Sequence, residues 1–174
     1  MTDLTPNCAS FQPAENLGAY RKALGRFTTG IAVVTAAYRG DWVGMTINSF
    51  SSISLSPPLI IWASDKKSSR YTKFLNASHF AVHVLSSAQK QVCDDFISSP
   101  TAFDRDRVRV NNNGVPILPD CLAIFECRQN STVDAGDHSI ILGDVQHVSA
   151  SEGDPLIFWG GNITGLATAQ NCPA

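Results

Sequence analysis

Residues 122–148 read Leu-Ala-Ile-Phe-Glu-Cys-Arg-Gln-Asn-Ser-Thr-Val-Asp-Ala-Gly-Asp-His-Ser-Ile-Ile-Leu-Gly-Asp-Val-Gln-His-Val. Two extended runs, 122–133 and 138–148, flank Ala135-Gly136-Asp137, whose glycine and aspartate suit a hairpin connection. A third run, 156–159, follows the turn residues Glu152-Gly153-Asp154-Pro155. The C-terminal part of the chain therefore reads as antiparallel strands.

Toward the N-terminus the same signature recurs. Residues 31–35 are β-branched, 42–47 and 50–55 are extended up to Pro57-Pro58, and 59–63 and 80–85 are short apolar runs of buried-strand type. Arg39-Gly40-Asp41 supplies turn chemistry between two of them. Three segments are helical. Leu17, Tyr20, Ala23 or Leu24, and Phe27 recur at helical spacing with Arg21, Lys22 and Arg26 on other faces, and Gly30 is placed as the left-handed cap. Residues 68–75 and 87–97 suit shorter helices, the second offering Val92, Phe96 and Ile97 for one face. Residues 101–119, with Asn111-Asn112-Asn113-Gly114 and two prolines, read as a surface excursion. No repeat or linker divides the chain, so residues 1–15 are a lead-in and 16–170 one domain. Six or seven strands with short turns and peripheral helices predict a mainly β, closed or half-open barrel, because a sheet of that size must hide its edges.

With 174 residues and 44% apolar positions, the chain can bury a core without metal or disulfide staples. Thirteen Lys+Arg against fifteen Asp+Glu give a net charge of −2, and no basic run is present to neutralise a nucleic-acid backbone. Apolar runs are far shorter than a membrane span, and residues 1–13 lack the pattern of a signal peptide. A soluble cytoplasmic protein without nucleic-acid or membrane partners is expected. Five dispersed cysteines without a C-x-x-C pair imply reduced thiols.

Several chemistries drop out. There is no G-x-S-x-G elbow and no G-x-G-x-x-G after a strand. Gly160 and Gly165 have P-loop spacing, but Leu166 stands where the lysine must be. His79 and His83 lie on a strand-like run that sets them about 13 Å apart, too far to share a metal.

Three segments are too polar for their surroundings. Residues 44–52, Gly-Met-Thr-Ile-Asn-Ser-Phe-Ser-Ser, leave backbone donors and acceptors for the edge of a flat heteroaromatic ring, or form a hydroxyl-rich edge. Residues 64–70, Ser-Asp-Lys-Lys-Ser-Ser-Arg, open a helix and offer a phosphate seat, or an ordinary serine cap on a solvated loop. Gly136-Asp137-His138 places an imidazole at a hairpin mouth.

The ordered set Tyr20 to Thr35 (Tyr-Arg-Lys-Ala-Leu-Gly-Arg-Phe-Thr-Thr-Gly-Ile-Ala-Val-Val-Thr), Gly44 to Phe50, Ser56-Pro57-Pro58-Leu59, Phe80 to Leu85, Gly136-Asp137-His138 with Gly143-Asp144-Val145, and Pro155 to Phe158 resembles the short-chain flavin reductase family. The resemblance spans nearly the whole chain, from about Tyr20 to Leu166. It implies a flavin-binding split β-barrel of Greek-key type, a homodimer, and hydride transfer from NADH or NADPH to FMN or FAD. The reduced flavin would serve a partner flavin-dependent monooxygenase. Met45, Thr46, Ile47, Asn48 and Ser49 resemble the segment lining the flavin; Ser64, Lys67, Ser68 and Ser69 the phosphate seat; His138 the histidine facing nicotinamide or phosphate; and Phe103 an aromatic on the nucleotide side. His83, also placed among the cofactor-binding residues, stands where the family usually has Asn, and Arg70 where Thr is common. The rival expectation is a non-catalytic split-barrel protein that binds flavin or haem; a third is an oxidase resembling the pyridoxamine-phosphate oxidases.

Overall fold

The computed structural model describes residues 10–166. Helix α1 (Leu17–Leu24) begins where the Asn16 side chain accepts the Ala19 N–H, and ends at Gly25. Strand β1 (Thr29–Gly30) follows, so Gly30 is a strand residue paired with Ile157 and not the helix cap. Strands β2 (Ala32–Tyr38) and β3 (Asp41–Ile47) form a hairpin whose Arg39-Gly40 loop has φ of 53° and 85°, the tight turn expected there. Then come β4 (Ser51–Leu55), β5 (Pro58–Asp65), α2 (Tyr71–Asn76) and β6 (His79–Val84). A 3₁₀ turn at Ser87–Gln89 leads into α3 (Lys90–Ser98). The short ribbon β7 (Arg109–Val110) and β8 (Pro116–Ile117) precedes the long hairpin β9 (Ala123–Ala135) and β10 (His138–Ala150). Strands β11 (Leu156–Trp159) and β12 (Asn162–Gly165) complete the described chain.

Seven strands form one antiparallel sheet in the order β3-β2-β6-β9-β10-β5-β4, and β1, β11 and β12 form a second. Strands β3 and β4 are consecutive in sequence yet occupy opposite edges. The sheet therefore curls until its edges meet at residues 48–50. No β3–β4 ladder closes the seam; instead the Ser49 hydroxyl accepts the Ala63 N–H at 3.0 Å and lies 3.4 Å from the Ala63 carbonyl. Inside, Val34, Val43, Trp62, Phe74, Phe80 and Ile141 form the main core. Trp62 meets Phe74 and Phe80 edge to face, at 5.1 and 5.9 Å between centroids.

A second core lies between the sheet and α3, where Ile31, Val33, Leu85, Cys93 and Phe96 pack with Leu118 and Cys121. Helix α3 can approach β3 because Gly44 has no side chain: a Cβ there would stand 2.2 Å from the Phe96 ring. Phe96 faces inward as the sequence implies, but Ile97 is exposed and Cys93 takes its place. The 101–119 segment is more than a surface excursion. Val115, Ile117 and Leu118 are buried, and Thr35 donates its hydroxyl to the Pro116 carbonyl at 2.6 Å. Among the described residues no helix is long and apolar enough to cross a membrane.

Candidate functional site

At the seam, residues 45–49 together with Ala63, Asp65 and His138 line a crevice of about 240 Å³. The topology makes this meeting. Strand β10 pairs with β5, which sets His138 opposite Asp65, and the Ser49 latch holds the end of β3 beside Ala63. On β3, Gly44 donates its N–H away from β2, to the Pro100 carbonyl at 2.8 Å. Antiparallel pairing alternates direction along a strand, so Thr46 and Asn48 also turn their N–H groups to the open edge. Neither amide has a protein partner among the described residues. Met45 and Ile47 bury their side chains in the core and, by the same alternation, turn their N–H and C=O groups to β2, so they border the crevice without offering it a free main-chain donor. The Thr46 hydroxyl is taken up by the Cys93 carbonyl at 2.8 Å. Asn48 is exposed. The crevice is thus a row of main-chain donors with one free carboxamide, suited to the carbonyl and imine edge of a planar ring.

Opposite stands an imidazole. His138 Nδ1 lies 2.8 Å from Asp137 Oδ1, and this bond holds the Asp137 carboxyl below its usual range. Asn48 also borders a larger cavity of about 760 Å³, whose walls carry Arg21, Lys22, Arg26, Phe27 and Trp159. None of those three cations forms an ion pair among the described residues. The two cavities meet at Asn48: one lined by amides and an imidazole, the other by cations and aromatic rings.

Residues 24–167 match the flavin reductase like domain family. The chain belongs to that family. It is 48% identical over 157 residues to the FMN reductase (NADH) SmoA of Agrobacterium fabrum, covering 90% of each chain. It is 35% identical to the reductase subunit HsaB of a flavin-dependent monooxygenase from Mycobacterium tuberculosis, over 89% of this chain and 85% of that one. Among solved structures, the NADH:FAD oxidoreductase SgcE6 of Streptomyces globisporus superposes with a TM-score of 0.85 at 28% identity, over 98% of this chain and 99% of that one. The mainly β architecture is the split barrel of these reductases.

Several residues singled out in the sequence of this flavin reductase fall elsewhere. Ser64 alternates inward with Ile60 and Trp62, is fully buried, and its hydroxyl has no partner among the described residues, so it does not face the crevice. Helix α2 starts at Tyr71, with no side-chain bond at its cap position Arg70. Ser68 and Ser69 therefore belong to the preceding turn, where the Asp65 carboxylate accepts the Lys67 N–H at 2.8 Å and the Ser68 hydroxyl accepts the Arg70 N–H at 3.2 Å. What remains outward on this loop is the Lys67 ammonium and the exposed Ser69.

His83 is a core residue. It is fully buried on β6, with Nδ1 3.0 Å from the Val33 carbonyl and Nε2 accepting the Leu118 N–H at 3.1 Å, so neither nitrogen is free for a cofactor. Phe103 is clamped edge-on between Phe96 and Trp42, at 5.0 and 5.5 Å. It packs in the core beneath α3 and is not among the residues that line the crevice. The sequence singles out the segments holding Lys66 and Asp137 but gives neither residue a role of its own, and it does not show the basic cavity. The sequence places the basic residues of α1 only on faces other than the apolar one; the pairing of β1 with β11, and the Gly160 N–H donating to the Gly25 carbonyl at 2.9 Å, bring Trp159 to them. Burial pushes the Cys121 and Cys127 thiols up to about 11 and 12, which fits small half-apolar core residues better than reactive ones.

Proposed function

We propose that this flavin reductase holds FMN or FAD in the seam crevice, with the ring edge on the N–H groups of Thr46 and Asn48, and that the adjoining basic cavity receives a phosphate-bearing nucleotide. The reaction is reduction of the flavin by NADH or NADPH, and the reduced flavin goes to a partner monooxygenase. The relative named FMN reductase (NADH) makes FMN with NADH the first pair to test. The bound flavin supplies the hydride-accepting chemistry. This chain supplies fixed N–H dipoles where negative charge grows, a carboxamide at Asn48, an imidazole at His138, and cations at Lys67, Arg21 and Arg26 for phosphates. No side-chain acid or base is required for a hydride step.

The reading is carried by one observation: two unpaired edge amides and His138, distant in sequence, border the same crevice. Anaerobic addition of NADH to the protein with FMN bleaches the flavin's visible absorbance if it is correct. Asn48→Ala then raises the flavin KM by about 3- to 10-fold, the cost of one lost hydrogen bond. A protein that neither binds nor bleaches FMN or FAD with either nicotinamide refutes it.

The reading includes a cytoplasmic homodimer built from one domain over residues 16–170. In support, α1 has no buried residue among the described residues, and Leu17, Leu24 and Phe27 are 58%, 56% and 77% exposed. Leu55 on the edge strand β4 is 94% exposed. A second copy would cover such surface. Sedimentation showing only an 18.7 kDa species with flavin bound contradicts the dimer.

A further inference from the structure

The hairpin that carries His138 is fastened by a residue the reaction does not use. Lys66 leaves β5 and donates from Nζ to Asp134 Oδ1 and to the Gly136 carbonyl, both at 2.7 Å. Its main-chain N–H donates to the Asp137 carbonyl at 3.0 Å. One side chain and its own amide therefore hold the end of β9 and both turn residues that precede His138, of which Gly136 takes a φ of 67°. The contact also joins the turn to the loop bearing Lys67 and Ser69, so the histidine and the outward cation of that loop sit on one fastened unit.

The imidazole is oriented separately. Its ring is 43% exposed, so packing does not fix it. An ionised carboxylate only accepts, and Asp137 Oδ1 is 2.8 Å from Nδ1, so Nδ1 carries the proton. Nε2 is then the free nitrogen of a ring that borders the crevice. An unpartnered side chain more often adopts the other tautomer and turns about χ2. The charged groups around the ring are Asp137 beside it, Asp65 opposite on β5, Lys66 and Lys67 on the next loop, and Asp134, which Lys66 already engages.

We infer that Lys66 and Asp137 are positioning residues for His138: Lys66 locks the hairpin in place, and Asp137 assigns the ring proton to Nδ1 so that Nε2 meets the ligand. This rests on the proposed flavin site. It adds that the nicotinamide or flavin group met by His138 is recognised by one defined nitrogen of an oriented ring.

The test is a long-range ¹H–¹⁵N spectrum of ring-labelled protein, at a pH where His138 is neutral, beside steady-state kinetics. The wild type shows the Nδ1–H tautomer. Asp137→Asn keeps it, since the carboxamide oxygen still accepts, whereas Asp137→Ala reverts to Nε2–H and raises the KM for NADH about 3- to 10-fold with little change in kcat. Lys66→Met keeps the tautomer but raises the same KM, because the hairpin loosens. Thermal melts of each variant confirm folding. An Nε2–H ring in the wild type, or an Asp137→Ala protein with wild-type tautomer and KM, overturns the role of Asp137; a Lys66→Met protein with wild-type KM overturns that of Lys66. These failures are separate from that of the flavin site, which is judged by wild-type flavin binding alone.

Discussion

Acidification should destabilise this protein through one histidine. His83 has both ring nitrogens committed to main chain, Nδ1 donating to the Val33 carbonyl and Nε2 accepting from Leu118 N–H. Protonation would set an Nε2–H against the Leu118 N–H inside the core. Burial pushes the His83 pKa down from 6.5 to about 4, against the upward pull of the Val33 bond and of Glu126, with Arg109 adding to the depression. Between those limits the unfolded chain takes up a proton that the folded one refuses, so stability is complete above pH 6.5 and declines as pH falls toward 4. At about 1.4 kcal/mol per pH unit the loss reaches about 3 kcal/mol. Urea unfolding from pH 7.5 to 4 measures it, with His83→Asn as the control. An asparagine can donate to Val33 and accept from Leu118 without titrating, so the variant starts less stable but loses about 3 kcal/mol less over the range. His83→Gln serves if the shorter side chain leaves too large a gap. Carboxylates other than Glu126, which is coupled to His83, contribute to both proteins alike. Stability curves that run parallel down to pH 4 would refute the argument, and a His83→Asn protein that loses flavin affinity would return His83 to the cofactor site.

Two further substitutions probe how the site is framed. Gly44→Ala drives a methyl group into the Phe96 ring, and calorimetry should show a loss of about 1–3 kcal/mol; a wild-type melting temperature would mean α3 is not seated on β3 as described. Phe103→Leu should cost about 1 kcal/mol in urea unfolding by removing the edge-on contacts with Trp42 and Phe96, while the KM for flavin stays within twofold. A fivefold or larger change in that KM would place Phe103 back beside the ligand.

The strands and the crevice strand were legible for a local reason. Alternation, turn residues and β-branched runs are written in neighbouring positions, so the Arg39-Gly40 hairpin, the 138–148 strand and the polar break at Thr46–Ser49 could be read directly. The flanking strands β1 and β12 could not, since two and four residues carry too little periodicity and are defined by their partner β11. Residues 115–118 looked like loop because their apolar character is broken by Pro116, yet tertiary contact buries them.

Within the site, residue type and order told which segments carry polar chemistry; they did not tell which way a side chain turns. Ser64 and Ala63 are neighbours, and strand alternation sends one inward and the other to the crevice. His83 and His138 are the same residue with opposite fates: one sits where β2, β6 and the 118 loop close over it, the other at an open turn. The family resemblance, the mainly β class and the identity of the crevice strand came from the amino-acid order alone, because each rests on short-range pattern. The free amides of Thr46 and Asn48, the meeting of the 45–49 segment with His138, the Lys66 clasp and the basic cavity were decided only by the fold. Each depends on strand register and on the seam where two edges of one sheet come together, and neither is encoded in any local stretch.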